Sequence, residues 1–209
     1  ISCSLVGSEM CIRDRYNPLN PQQLKDYDVS SYCYRHSRRD WKVSAYDKGY
    51  GINYDGDSRK PEYLIDGEKK TNWSSGKIND KPLELPYYII FDLNKVSDID
   101  GVYLANGYSN QCLADVHVEY IGSEVADPYD INAPWETLLQ VTDPNVVRAN
   151  LKNERFFDCP RTQARYLRLK ISNPNTIVFK SDSDLTEEEK ANQKKYHSFA
   201  EFGTYYKKP

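Results

Sequence analysis

The chain has 209 residues, of which 39% are apolar, and it carries a formal net charge of −3 from 28 basic and 31 acidic side chains. This length is enough to bury the core of one domain. The charge balance excludes a broad electrostatic attraction to nucleic acid or anionic membranes, and no apolar run is long enough to span a bilayer.

The first residues do not read as part of a protein domain. Residues 5–15 match the translation, in one frame, of a common transposase sequencing adapter. We therefore predict that residues 1–15 are an adapter artefact, fused to a truncated gene in an assembled metagenomic contig; a native polar leader is the alternative. On this hypothesis the absence of a signal peptide says nothing about secretion.

Residues 16–40 contain Pro18 and Pro21 and show no clear hydrophobic periodicity. This composition predicts a linker or a remnant of an upstream domain. The basic residues at 34–39 are expected to be solvated within that linker. The folded domain is predicted to occupy residues 41–209.

From Trp41 onward, short apolar and β-branched runs recur between turn signals, several with a period of two. Eight strands are predicted, at residues 41–46, 87–93, 99–105, 116–121, 135–141, 155–159, 164–171 and 199–206. The run at 87–93 has less polar alternation and is expected to be a central strand. The fold class is therefore all-β, an antiparallel β-sandwich or jelly roll of about eight strands.

One segment has a helical pattern instead. Thr186 and Glu189 have capping-box spacing, and acidic residues at the start of the segment are followed by lysines at its end. We predict one short inserted surface helix at residues 186–195.

Several short motifs follow one another in a recognisable order. They are LIDGEKKTNW at residues 64–73, LPYYIIFDL at 85–93, and ARYLRLKI at 164–171 closing towards AEF at 200–202. In order and spacing the chain resembles the discoidin domain, also called the coagulation factor 5/8 type C domain. Many bacterial members of that family are galactose-binding-like carbohydrate-binding modules.

The resemblance implies a non-catalytic carbohydrate-binding module, the C-terminal part of a larger secreted or surface bacterial protein. An extracellular, periplasmic or cell-surface location is implied in the same way. The alternative on the same fold is a protein- or membrane-adhesion module, because the fold does not determine the ligand. In the family, tryptophans at positions such as Trp41 and Trp73 pack inside the sandwich, and we expect the same here.

The resemblance also implies a structural calcium ion at the Asp-Gly turn. The matching positions are Asp66, Thr71 and Glu201, with backbone carbonyls from Glu68 and Ala200 as helpers. Calcium requires six or more oxygen ligands, which a tight turn can direct towards one point. The alternative is an Asp-Gly turn in which the carboxylate caps backbone amides.

Two loops correspond to the protruding, ligand-binding loops of discoidin-like modules, at residues 47–56 and 106–111. Their aromatic faces suit sugar C–H groups and their amides suit hydroxyls. The predicted ligand-binding residues are Tyr50, Tyr54, Asn106, Tyr108, Asn110 and Gln111. Many bacterial relatives have a Pro-Arg pair where this chain has Ala105-Asn106, so the usual sugar-contacting arginine is missing there.

An enzyme is the least supported alternative. His36, His117 and His197 form no metal-binding motif, and no nucleophile elbow, phosphate loop or dinucleotide fingerprint is present. Cys33, Cys112 and Cys159 have no metal-binding or redox spacing. Buried thiols are favoured for them, and a bridge between Cys112 and Cys159 is the alternative.

Overall fold

A computed structural model describes residues 33–106, 115–130, 132–142, 154–174 and 185–208, with the side chain of Asn106 excluded. Ten strands and one α-helix account for most of these residues. The strands are β1 (Cys33–Arg35), β2 (Lys42–Tyr46), β3 (Trp73–Ser74), β4 (Lys77–Ile78), β5 (Lys81–Pro82), β6 (Tyr87–Asn106), β7 (Val116–Ile121), β8 (Glu136–Val141), β9 (Glu154–Ile171) and β10 (Ser198–Lys207); the helix is α1 (Glu187–Lys194).

All the strand pairs described are antiparallel, and eight strands form one sheet in the order β1-β10-β6-β9-β7-β8, with β2 on β6 and β3 on β10. β4 and β5 form a separate hairpin. The long strands β6 and β9 pair along nearly their whole length, with register shifts between Asp92 and Ser97 and between Ile99 and Gly101. Such irregularities bend a sheet, so β6 and β9 each contribute to two layers.

The curled sheet encloses one hydrophobic core. The first layer contains β2, β7, β8, the first half of β6 and the second half of β9; the second layer contains β1, β3, β10 and the remaining halves. Phe91 of the first layer stacks on Phe202 of the second, with ring centroids 4.2 Å apart. This packing confirms the predicted all-β sandwich.

Most of the predicted strands are found close to their predicted bounds. The central position of residues 87–93 is confirmed, because β2 and β9 flank this segment. The pairs of strands predicted at 87–93 and 99–105, and at 155–159 and 164–171, are instead the continuous strands β6 and β9. Trp41 and Trp73 are buried, as expected.

The boundary predicted at Trp41 needs a correction. Cys33–Arg35, placed in the linker by the sequence prediction, forms β1 and pairs with Tyr205–Lys207 of β10. Arg35 and Arg38, expected to be solvated, form ion pairs with the largely buried carboxylates of Glu154 and Glu201. Residues 33–40 are therefore part of the folded domain.

The helix has the predicted capping box. The Thr186 side chain accepts a hydrogen bond from the backbone N–H of Glu189, and the Glu189 carboxylate accepts one from the backbone N–H of Thr186. No residue of α1 is buried, so it lies on the surface. In the part of the chain that the structure describes, no helix is long and apolar enough to cross a membrane.

Candidate functional site

The loop after β2 is held by one side chain. Oδ1 of Asp47 accepts hydrogen bonds from the backbone N–H groups of Gly49 at 2.8 Å and Gly51 at 2.9 Å. The Asp47 N–H donates to the carbonyl of Gly51, and Tyr50 between them has a φ of 61°. The left-handed conformation of Tyr50 turns the chain back, so this loop is a defined turn.

The turn places Tyr50 over the outer face of the first layer. Its ring lies 5.8 Å from that of Tyr46 and 5.2 Å from that of Tyr88, and the ring of Tyr129 lies 5.5 Å from that of Tyr46. We call Tyr46, Tyr50, Tyr88 and Tyr129 the tyrosine cluster. All four are half-buried, so each keeps part of its surface open to solvent.

Arg168 of β9 holds the cluster to the sheet. Its Nη1 donates to the hydroxyl of Tyr50 at 2.9 Å, and its Nε donates to Oε2 of Glu119 at 2.6 Å. The guanidinium also lies over the rings of Trp135, at 4.4 Å from the centroid, and Tyr88, at 5.0 Å. Burial raises the pKa of Tyr50, and the positive charge of Arg168 opposes this rise. Tyr50 therefore stays a neutral, oriented phenol.

For the other predicted ligand residues, the structure describes only Tyr54 and the backbone of Asn106. Tyr54 packs against the core cluster. The backbone of Asn106 ends β6 and pairs with Phe199, which also pairs with Trp73. The indole of Trp73 donates to the carbonyl of Asn53 at 2.8 Å, so Asn106 lies at the same end of the sandwich as the loop at 47–56. Tyr108, Asn110 and Gln111 lie outside the described residues and remain predictions.

Polar residues that the sequence analysis did not select also lie near this end. The amide of Asn173 donates to Oδ2 of the buried Asp115 at 3.0 Å. Asp115 directly precedes β7, and Asn173 follows β9, its neighbour in the sheet. Their positions at strand ends were visible in the sequence, but their pairing was not.

The Asp-Gly turn satisfies its own hydrogen bonds. Asp66 Oδ1 accepts from the backbone N–H of Glu68 at 2.8 Å, and Asp66 Oδ2 accepts from the hydroxyl of Thr71 at 2.7 Å. Gly67 has a φ of 83°, a conformation that favours glycine. The carboxylate thus caps one backbone amide and one hydroxyl, which is close to the alternative weighed from the sequence.

A positive group already contacts the remaining predicted calcium ligand. Glu201, on β10 beside Ala200, is 2% exposed and forms an ion pair with the guanidinium of Arg38. Burial raises the pKa of the Glu201 carboxyl to about 7, and Arg38 opposes that rise. Among the described residues, no three carboxylate, imidazole or thiol side chains are grouped to hold a metal. The predicted donor set does not fit a calcium ion while Arg38 occupies the Glu201 carboxylate.

The comparisons agree with this architecture. Residues 42–181 match the family model of the F5/8 type C domain. No curated protein matches the chain at a significant level.

Two solved carbohydrate-binding modules and a fragment of a putative chitobiase share the fold. The family 32 carbohydrate-binding module of Clostridium perfringens NanJ, solved with galactose, is 16% identical with a TM-score of 0.52, and the alignment covers 81% of this chain and 96% of that one. Chitosan-binding module 2 of a Paenibacillus chitosanase/glucanase, solved with chitotriose, is 14% identical with a TM-score of 0.54 and coverages of 79% and 95%. A fragment of a putative chitobiase from Bacteroides thetaiotaomicron is 22% identical with a TM-score of 0.56 and coverages of 83% and 92%.

Proposed function

The chain belongs to the F5/8 type C domain family, and on that basis we propose that it is a non-catalytic carbohydrate-binding module of a secreted or surface-attached protein. The neighbours solved with galactose and chitotriose support a sugar as the ligand class. An extracellular, periplasmic or cell-surface location fits that role.

The observation that carries the proposal is the tyrosine cluster beside the loop at 47–56. Aromatic rings bind the C–H faces of sugars, and half-buried rings fixed by their neighbours lose little conformational entropy on binding. The hydroxyl of Tyr50 is oriented by Arg168, so the ring is held before a ligand arrives. Tyr54, Asn106, Tyr108, Asn110 and Gln111 are proposed to complete the site from the same end of the sandwich.

Two carboxylates beside the cluster already make structural contacts. Asp47 caps the turn of its own loop, and Glu119 is paired with Arg168. A glycoside hydrolase needs two carboxyl groups placed on either side of the scissile bond. We therefore propose binding without hydrolysis.

The test is a glycan array followed by calorimetric titration of the best sugar. We expect a dissociation constant of roughly millimolar to tens of micromolar, because a shallow site with a few water-exposed hydrogen bonds gives modest affinity. Tyr50→Ala and Tyr108→Ala should each weaken binding about tenfold, equivalent to the loss of one ring contact.

Tyr34→Ala is the matched control. Tyr34 is 40% exposed, but it lies on β1, which pairs with the far end of β10. Its removal should leave the affinity unchanged. Unchanged affinity in the Tyr50 and Tyr108 variants, with their folds verified by circular dichroism, would place the ligand elsewhere.

One observation favours the adhesion alternative. Ile52, in the same loop, is 72% exposed, and Ile78 of the neighbouring β4–β5 hairpin is 64% exposed next to Lys77. The backbone N–H of Gly76 donates to Oδ1 of Asn53, which brings the hairpin against the loop. Bulky apolar tips with basic neighbours suit a membrane or a protein surface. Sedimentation with anionic vesicles that is lost in Ile52→Ser, together with an array without hits, would support adhesion.

A further inference from the structure

The outer face of the second layer carries two largely buried carboxylates in one row. Glu201 of β10 pairs with Ala105 of β6, and Ala105 pairs with Glu154 of β9. Residues directly opposite one another share a face, so both carboxylates lie on the same side, two strands and about 10 Å apart. The Asp-Gly turn lies beside this row, since Lys69 reaches Glu154 at 3.6 Å.

Several oxygen atoms of this face converge on a single nitrogen. Arg38 Nη1 donates to the carbonyl of Phe202 at 2.8 Å, to the carbonyl of Leu64 at 3.2 Å, and to Oε2 of Glu201. One carboxylate and two carbonyls around one point are the kind of donors that a hard cation also uses. The guanidinium connects the segment before the Asp-Gly turn with β10.

The same guanidinium lies close to the turn itself. A Cβ placed on Gly67 would be 3.9 Å from Nη2 of Arg38, and Arg38 is only 14% exposed. Asp66 and Thr71 meanwhile satisfy each other within the turn. The guanidinium is therefore a positive neighbour of the turn, while Oε1 of Glu201 is buried without a hydrogen-bond partner among the described residues.

We propose that Arg38 is the resident cation of this site and takes the structural role that the family resemblance assigns to calcium. Arg38 and a calcium ion exclude each other, because two positive charges would have to share one buried carboxylate. The domain is then calcium-independent as long as Arg38 is present. This proposal does not depend on the ligand of the tyrosine cluster.

The test compares the melting temperature of the full chain in calcium and in chelator, with elemental analysis of bound metal. The wild type should show equal melting temperatures and no stoichiometric calcium. Arg38→Gln should melt roughly 10 °C lower, because a buried carboxylate loses its partner. Added calcium should then raise the melting temperature of Arg38→Gln, since Glu201 is free to take another cation.

Arg35→Gln is the matched control. Arg35 pairs with Glu154 on the same face, with Nη1 2.9 Å from Oε1. This variant should also be less stable, yet it should gain no calcium response because Arg38 is still in place. If Arg38→Gln does not fold, Arg38→Lys is a second variant, because it keeps the charge. The melting temperature of Arg38→Lys should fall between those of the wild type and Arg38→Gln.

The outcomes that overturn the proposal are distinct. A wild type that melts lower in chelator and contains one equivalent of calcium shows that the metal is the resident cation. An Arg38→Gln variant as stable as the wild type shows that Arg38 has no structural role. A destabilised Arg38→Gln variant that ignores calcium shows that the two cations do not compete for one position.

Discussion

The buried His197 shows how a single residue ties stability to pH. It is fully buried between the end of α1 and the core. Its ring packs edge-to-face with that of Tyr87, with the ring centroids 5.8 Å apart. Its Nδ1 lies 3.0 Å from the carbonyl of Lys195, so Nδ1 carries the proton of the neutral ring. Burial lowers the pKa of His197 from 6.5 to about 4, because a charged imidazole would lose its hydration.

We predict that this residue weakens the fold at acidic pH. Between the two pKa values the unfolded chain binds a proton that the folded chain does not, so stability is complete above pH 6.5 and falls towards pH 4. The part of the change that His197 causes between about pH 7.5 and about pH 4.5 should be a loss of roughly 2–3 kcal/mol, whereas Glu201, whose pKa is raised to about 7, acts in the opposite direction. Urea unfolding of the wild type and of a variant without His197, each at both pH values, measures the His197 contribution by difference.

His197→Phe provides the comparison, because it keeps a flat ring against Tyr87 and removes the titration. Between the two pH values, the free energy of unfolding of His197→Phe should fall by roughly 2–3 kcal/mol less than that of the wild type. The absolute stability of the variant does not matter, since only the difference in pH dependence is compared. Equal losses in both proteins would contradict the prediction.

The contacts of the Asp-Gly turn are local and follow from its motif, whereas the calcium ion predicted there stays a prediction. Asp66, Glu68 and Thr71 interact within five positions of one another, so the motif was enough to offer this turn as the alternative to calcium. The partners of Tyr50 and Glu201 are different. Arg168 is 118 positions from Tyr50, and Arg38 is 163 positions from Glu201. No local pattern encodes such pairs, which arise only when the sheet brings distant strands together.

At the scale of elements, β6 and β10 are joined by two reciprocal pairs. Tyr103 lies opposite Gly203, and Tyr205 lies opposite Gly101. A Cβ on Gly203 would come within 2.4 Å of the Tyr103 ring, and one on Gly101 within 2.2 Å of the Tyr205 ring. Each glycine thus leaves room for a tyrosine of the partner strand to lie flat across it, although glycine inside a strand ordinarily weakens it.

We predict that Gly203→Ala destabilises the domain by about 1–3 kcal/mol, since the added methyl must displace the ring of Tyr103. Chemical denaturation with urea gives the value. Gly49→Ala is the control, because its Cβ would meet only a carboxylate oxygen of Asp47 at 3.4 Å. A Gly203 variant no less stable than the Gly49 variant would show that the tyrosine moves without cost.

The predicted and observed strands differ where the period-two alternation of apolar and polar residues is short or interrupted. Residues 116–121 alternate clearly and were predicted with their observed bounds. β1 has only three residues, too few to show a period of two. Within β6 and β9, the gaps between the predicted strands fall at register shifts. There the alternation of apolar and polar residues is interrupted, although the strands pair on both sides of the shift.

At the scale of the whole molecule, β10 connects two ends with different roles. Its start, at Phe199, pairs with Trp73 and Asn106 beside the loop at 47–56, whereas its end, at Lys207, pairs with Cys33. At about 3.3 Å per residue these points are roughly 25 Å apart. The proposed sugar site and Cys33 therefore lie at opposite ends of one strand, and the segment at 33–38 runs back along β10 from Lys207 to Glu201.

These contacts along β10 give a prediction about where the domain begins. A chain shortened to start at Cys33 keeps β1, Arg35 and Arg38, whereas one that starts at Trp41 loses all three. The carboxylates of Glu154 and Glu201 are then buried without these partners. Breaking a buried ion pair costs about 3–5 kcal/mol, so the shorter chain should unfold at a much lower urea concentration or fail to fold.

The effect of the unpaired carboxylates can be separated from the effect of losing the β1–β10 pairing. Glu154→Gln and Glu201→Gln, introduced together into the chain that starts at Trp41, replace each carboxylate by a neutral amide of similar size. Because a neutral group is cheaper to bury than a charge, these substitutions should recover part of the stability. They should destabilise the chain that starts at Cys33, where both arginines are present. Identical urea midpoints for the two unsubstituted chains would instead show that residues 33–40 add nothing to the fold.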